Sequence, residues 1–464
     1  MAETYGIERL TALDDYPLWA DDMGWPWDIG VIATLDGSTL TCDDGELDIE
    51  RVRRHIESRL HLAPRLRQCI RRPARGLGPP LWIDAPTFDV NRHVAVYRLE
   101  RPVDENSLVD AVATLRRRPF DPRLPLWEMW FLPGLPDGRV GMFWRAHHAI
   151  VDGTSGVATL AAFVDLQDDA PGTTAPAWAP RRAPTMRELL SDNVAHRAQR
   201  IKYLCTLLWQ PRRMLALLRT ALPVWREIFT EDRAPRSSLN RRIGADRRIA
   251  VVRTRLDLAK TIGHAYGATV NDVVLTAVAG GLRELLQRRG EPVQDLLLRV
   301  MVPVSLHREG PGAAQGNLNG LMAVPLTVGE PDDVRRLRLI AAETAQRKKT
   351  ARPQALSTGV FALAAARRLV TRMAVHQWLF NLSVTNVPGP PVPVYLAGAR
   401  ALEMFPFIPI VGNQTLNVGV LSYDGQLNLT AVADRERVTD LDVFREGAEA
   451  SLAALARSAG VPAA

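Results

Sequence analysis

His147, His148, Asp152 and Gly153 form an H-H-x-x-x-D-G string at the end of the alternating segment Val140–Ala146. A titratable imidazole and a carboxylate at a strand-to-loop junction are what a general base needs to reach into a pocket while a second group fixes its orientation. Neighbouring residues on an extended backbone point to opposite sides, so the two histidines cannot face one pocket in the same way. One does the chemistry and the other supports it. In outline this is acyl-transfer chemistry. A plainer reading of the same residues is a strand end followed by an Asp-Gly turn and the cap of a helix starting near Thr154.

Further strings stand on either side. Upstream runs Asp121-Pro-Arg-Leu-Pro-Leu-Trp127-Glu128, and downstream come Asn271-Asp272 and Asn386-Val-Pro-Gly-Pro390. The H-H-x-x-x-D-G string alone is shared with chloramphenicol acetyltransferase and with peptide-synthetase condensation domains. Together, from Leu13-Asp14 to the C-terminal helix, the strings resemble the bacterial wax ester synthase/diacylglycerol acyltransferase family. That resemblance implies an α/β fold of two similar chloramphenicol acetyltransferase-like domains facing each other across a tunnel. It implies acyl transfer from acyl-CoA to diacylglycerol or a long-chain alcohol, with acyl-CoA a co-substrate and no cofactor.

Residue by residue, the resemblance makes His148 the general base, His147 its support, Asp152 an orienting residue of the local architecture and Gly153 the turn. It places Trp127 on the acyl-donor side of the cleft, where plain core packing is an equal alternative. Asn271 and Asp272 are candidate substrate contacts, although capping and the helix dipole would by themselves favour them in a first helical turn. Thr385, where the family often has serine, and Asn386 are candidate oxyanion donors. Prolines force the chain out of a strand after Thr385, and Gly389 is expected to supply an unusual backbone angle.

Other chemistries find little support. No H-E-x-x-H or other helical ligand pairing accompanies the histidines, and no G-x-S-x-G nucleophile elbow occurs in the chain. Gly76-Leu-Gly78 and Gly310-Pro-Gly312 lack the strand-loop-helix setting of a phosphate cradle and read as turns. Cys42, Cys69 and Cys205 form an odd set without C-x-x-C spacing. They read as structural thiols of a reducing compartment.

At 464 residues, 47% hydrophobic and 23% charged, the chain has the size of two or three domains and the composition of a globular protein. Its first residues carry no basic, apolar leader, and no apolar run approaches the roughly 18 residues of a spanning helix. A cytoplasmic protein is expected. Residues 1–175 alternate strands and helices, among them a helix over Asp104–Arg118 and a strand over Val140–Ala146. Residues 176–248 open Pro-rich and then carry 16 Arg or Lys against 6 Asp or Glu between 181 and 248. Leucines there recur every three to four residues, which predicts amphipathic helices with a basic face. From 249 to 464 the α/β texture returns. Helices are expected from Thr269 to Arg289, over Asp332–Lys349, over Gln354–Phe380 and around Leu441–Leu452. Strands are expected over Leu297–Leu306, Leu321–Val328, Leu382–Thr385, Leu416–Leu421 and Leu427–Ala433. The basic segment is expected to bring the protein peripherally to the inner face of a membrane or to a lipid droplet. Nucleic acid is not an expected partner, since no binding motif accompanies the charge. Two rivals remain: a condensation-type acyltransferase using a carrier-protein or polyketide substrate, and a non-catalytic lipid-surface binding protein.

Overall fold

The computed structural model describes residues 7–22, 24–42, 46–74, 76–100, 103–104, 106–151, 156, 159–168, 175–210, 233–305, 319–350 and 376–461. The first part of the chain runs α1 (Ala12–Asp21), β1 (Asp28–Asp36), α2 (Ile49–Arg59), the hairpin β2 (Gln68–Arg71) and β3 (Leu81–Asp84), β4 (Val94–Val96), α3 (Ser107–Arg116), β5 (Trp127–Leu132) and β6 (Arg139–His147). A long helix, α4 (Met186–Trp209), follows. The second part runs β7 (Arg247–Arg255), α5 (Leu256–Tyr266), α6 (Val270–Arg288), β8 (Leu297–Ser305), β9 (Asn319–Thr327), α7 (Asp333–Thr350), β10 (Leu382–Pro388), β11 (Tyr395–Leu396), β12 (Ala399–Phe407), β13 (Leu416–Tyr423), β14 (Gln426–Asp434) and α8 (Leu441–Ser458).

These strands make two six-stranded mixed sheets, ordered β11-β12-β1-β6-β5-β4 and β7-β14-β13-β10-β8-β9. The first sheet therefore does not come from residues 1–175 alone. β12 leaves the C-terminal part and pairs antiparallel along β1, with Gly30 opposite Phe407 and Thr34 opposite Glu403. Without it, β1 would offer an open hydrogen-bonding edge. The division of the chain at 249 is thus crossed by a strand exchange that periodicity cannot reveal, because an alternating pattern marks a strand but not its sheet.

Local sequence explains the rest. Thr269 caps α6 by accepting the Asp272 N–H, and the Asp272 carboxylate returns the bond in a capping box. Gly280 and Gly281 sit inside this helix despite their poor propensity, because a Cβ at Gly281 would stand 2.5 Å from the Phe444 carbonyl oxygen of α8. They let α8 lie almost on the α6 backbone. Helices α3, α6, α7 and α8 and strands β6, β8, β9, β10, β13 and β14 all fall where the sequence places them, within a few residues. The helix expected over Gln354–Phe380 lies mostly outside the described residues, and its described end, 376–380, is turn and coil. Of the helix expected after Thr154, Gly156 and 159–161 are described and helical.

The two sheets share a core. Ile32, Leu108, Val112, Phe143, Phe405 and Phe407 from the first sheet and α3 pack against Ile249 and Val432 of the second and against Ile243 just before β7. Phe407 and Phe143 meet edge to face at 5.5 Å between ring centres. The Phe407→Ala variant should lose about 3–5 kcal/mol of unfolding free energy, through the cavity it leaves where the strand exchange crosses from one sheet to the other. Urea unfolding checks this; a loss below about 1 kcal/mol would mean that the shared core contributes little.

Candidate functional site

Strand β6 ends at His147, and His148–Ile150 form a turn. His147 is buried, with its ring Nδ1 accepting the Ala149 N–H at 3.1 Å. That leaves the ring hydrogen on Nε2. Nε2 lies 2.8 Å from a carboxylate oxygen of Asp21, close in distance but off the axis of a straight hydrogen bond. The ring edge of Phe120 closes the other side, 6.5 Å between centres. His148 is half-buried; its backbone N–H donates to the Trp27 carbonyl at 2.9 Å, and the Trp27 indole meets its imidazole edge to face at 6.0 Å. The pair is divided by the end of the strand: His147, its last residue, is locked inside, while His148 in the following turn is half-buried at the corner.

A buried ion network fixes the strand from below. Arg145, two residues before His147 and 1% exposed, donates to Glu128 at 2.7 Å and to the carbonyls of Arg116 and Arg118, the latter at 2.7 Å. It lies 3.6 Å from the buried Asp28, which also takes the Arg116 Nε–H at 3.1 Å. From the second sheet, buried Arg247 approaches the same group and pairs loosely with Asp434 at 4.0 Å. Burial, reinforced by the charge of Arg116, lowers its pKa to about 9 against the pull of Asp434, Asp28 and Asp246.

The other sequence candidates fall in different places. Trp127 is fully buried, its Nε1–H bonded to the Leu66 carbonyl at 2.8 Å and its ring stacked on His93 at 4.6 Å. That is core packing rather than a cleft wall. Asp272 is also buried; one oxygen closes the cap with Thr269, and the other accepts the Thr344 hydroxyl of α7 at 2.6 Å. The cap and the contact with α7 together account for both of its oxygens. Asn271 beside it is half-buried, as are Thr385 and Asn386 near the end of β10, opposite Gly419 and Val420 of β13. Gly389 does not adopt a left-handed angle as expected; it is needed for room, since a Cβ there would stand 2.4 Å from the Ser422 carbonyl oxygen. Asp152 and Gly153 lie outside the described residues.

Cys69 is buried, and desolvation pushes its thiol up to about 11, so it stays protonated; Cys42 and Cys205 are exposed. Among the described residues no group of three or more His, Cys, Asp or Glu gathers as a metal-binding set. A cavity of about 670 Å³ lies between the sheets, lined by Ile32, Thr34, Leu108, Ile249, Val251 and Phe405. It reaches Arg139, the first residue of β6, and so sits at the far end of that strand from His147. Asp21, Trp27 and Phe120 are the corner residues that sequence reasoning missed. Asp21 did leave a signal: a carboxylate at the C-terminal end of a helix opposes the helix dipole.

Two mixed sheets sharing a core, with a histidine pair where a central strand turns out, define the two-lobed acyltransferase architecture. The same fold is seen in the wax ester synthase/diacylglycerol acyltransferase from Marinobacter aquaeolei VT8, with a TM-score of 0.69 at 24% identity over 98% of this chain and 100% of that one. It is seen again in the first condensation domain of the calcium-dependent antibiotic synthetase, with a TM-score of 0.59 at 19% identity over 100% and 98%. The wax ester synthase/diacylglycerol acyltransferase catalytic domain matches residues 10–274, and the C-terminal domain of the same family matches residues 315–456. The chain belongs to this family. A protein of Mycobacterium tuberculosis named as a diacylglycerol O-acyltransferase is 30% identical over 475 residues, covering 98% of this chain and 97% of its own. One from Mycobacterium bovis with the same name is 29% identical over 463 residues, covering 97% and 96%.

If Asp272 is the cap and clamp its contacts describe, Asp272→Ala should cost about 1–3 kcal/mol of stability by removing the cap and the buried bond to the Thr344 hydroxyl, which keeps only the Ala341 carbonyl at 3.1 Å. Activity per folded molecule should change little. A variant that melts like the parent yet has lost turnover would return Asp272 to the substrate.

Proposed function

We propose that the protein transfers an acyl group from acyl-CoA to the hydroxyl of diacylglycerol or a long-chain alcohol, with His148 as general base. The observation that carries this reading is the division of the histidine pair: His147 is locked in the core while His148 stands half-buried just past the end of β6. An alcohol is a poor nucleophile at neutral pH, so His148 takes its proton as the oxygen attacks the thioester carbonyl. The carbon–sulfur bond breaks, CoA leaves as the thiolate and collects the proton from the imidazolium, and an ester remains. Holding both substrates at one base makes the step effectively unimolecular. No acyl-enzyme is required, which agrees with the protonated, buried state of Cys69. Asp152 keeps its orienting role in this reading, and Thr385 or Asn386 remains a candidate oxyanion donor.

The acceptor is a lipid, and α4 is suited to reach it. Among the described residues, Met186, Leu190, Val194, Ile201 and Trp209 are all more than half exposed, Trp209 at 85%. At 100° per residue they fall on one side of the helix, with Arg187, Arg197 and Lys202 interleaved. Leu189 anchors the opposite side against Leu77 and Leu81, and Arg9 holds Asp192 at 2.7 Å. An apolar stripe bordered by cations on a docked helix fits peripheral binding to an anionic lipid surface. None of the described helices is long and apolar enough to cross a membrane.

Thiol release from palmitoyl-CoA, with long-chain alcohols and diacylglycerol as acceptors, tests the chemistry. His148→Ala should remove about 10²- to 10⁴-fold of the rate with the fold intact, while His147→Ala should cost stability as well. Near-parental turnover in folded His148→Ala enzyme would end the general-base assignment. Release only when the donor is tethered to a carrier protein would assign the chain to condensation-type chemistry instead.

Sedimentation with vesicles tests the surface reading: anionic vesicles should bind more than neutral ones, and salt should weaken the binding. Replacing Arg197, Arg200, Lys202, Arg212 and Arg213 with glutamine should reduce it. Binding unchanged by these replacements, or equal and negligible on both vesicle types, would refute it.

A further inference from the structure

Asp21 connects the two histidines. Its Oδ2 lies 2.8 Å from His147 Nε2, and its Oδ1 accepts the Trp27 N–H at 3.1 Å. The Trp27 carbonyl in turn accepts the His148 N–H at 2.9 Å, and the Trp27 indole stands edge to face against the His148 ring. One carboxylate is therefore in contact with the inner imidazole and one residue removed from both the backbone and the ring of the outer one. His147 Nδ1 already accepts the Ala149 N–H, so the nitrogen beside the Asp21 carboxylate is the one that carries hydrogen, held in an off-axis contact.

The placement of Asp21 is locally unfavourable. It is the last residue of α1, where the helix dipole is negative and where the last turn holds no basic residue. Its neighbour Asp22 is relieved by Arg72 at 2.7 Å, but among the described residues Asp21 pairs with no lysine or arginine. A residue that breaks a local rule marks a place where the fold serves something other than its own stability.

We propose that Asp21 is the positioning residue of the catalytic corner. Its carboxylate sets the ring of His147 and, through Trp27, the backbone and ring of His148, so that the base meets the acceptor hydroxyl in one orientation. The inference rests on the acyl-transfer reading of His148. By its geometry Asp21 acts through other residues and need not touch substrate. Its loss should then lower kcat and leave binding of the donor nearly unchanged.

The test uses full-length wild-type, Asp21→Ala, Asp21→Asn and Asp21→Glu proteins, with palmitoyl-CoA and a long-chain alcohol. Asp21→Ala should lower kcat about 10- to 100-fold with KM for palmitoyl-CoA within about twofold, and Asp21→Glu should recover most of the rate. In parallel, nitrogen-15 spectra of histidine-labelled protein, assigned with His147→Asn and His148→Ala, read the two rings directly. In Asp21→Ala the His147 and His148 ring resonances should move, whereas that of His93, held by the Trp127 carbonyl at 2.9 Å, should stay. The spectra report on Asp21 even in a protein that turns over no acyl-CoA, so failure of the activity reading and failure of this inference give different results. Unmoved His147 and His148 resonances in Asp21→Ala would overturn the proposal. So would a loss of kcat that tracks the unfolded fraction and is not recovered by Asp21→Glu. Should Asp21→Ala fail to fold, the isosteric Asp21→Asn carries the decision, and a kcat within about twofold of the parent would overturn the proposal.

Discussion

The buried guanidinium of Arg145 is the constraint around which the first half of the molecule is arranged. A charge in the core costs least when its donors are met, and an arginine has five of them. Glu128 on β5, two carbonyls at the end of α3 and the nearby Asp28 on β1 all converge on it. Losing Glu128 or Asp28 would leave the buried cations Arg145 and Arg116 with one carboxylate between them, so the three elements hold one another in register more strictly than apolar packing would. Arg145 and His147 are two apart on β6 and share a face, while Trp144 and Ala146 fill the core on the other. The register that satisfies the arginine is thus the register that buries His147.

The second half reaches this arrangement by two routes. β12 enters the first sheet beside β1, and the shared core of Phe405, Phe407, Ile249 and Val432 joins the layers. Arg247 meanwhile brings a cation of the second sheet toward the Asp28 and Arg116 group, at a desolvation cost visible in its depressed pKa of about 9. The layers are therefore coupled through apolar contact and through a buried field close to the histidine corner. The large cavity between the sheets lies away from that corner, toward Arg139.

Much of this was legible in the residues, and the division follows physical range. The strand ending in the histidine pair, the Thr269 cap of α6 and the amphipathic α3 rest on neighbours within a turn or two, and the sequence states them directly. The exchange of β12 depends on which edge is open in three dimensions, which alternation does not encode. Trp127 and Asp272 looked like site residues because their motifs travel with the chemistry. Their atoms are occupied by Leu66, His93, Thr269 and Thr344, contacts made across 61 and 72 residues in the case of Leu66 and Thr344. Asp21 was missed for the complementary reason: its partner lies across a long stretch of sequence, and its one local mark was a charge at the wrong end of a helix.

The corner itself shows why two adjacent histidines suit a base that must be both accessible and fixed. A single histidine inside the strand would be buried like His147, with its proton out of reach of substrate. One placed freely in a loop would be reachable but would have to be oriented at each encounter, at an entropic cost to the rate. Here the strand stops at His147 because its carbonyl is taken by the Ile150 N–H at 2.9 Å and not by a further ladder partner. That turn swings His148 outward, while the bond from its own N–H to the Trp27 carbonyl ties it to the segment leading into β1. His147 contributes burial, Trp27 contributes the tether, and the accessible ring inherits its direction from both.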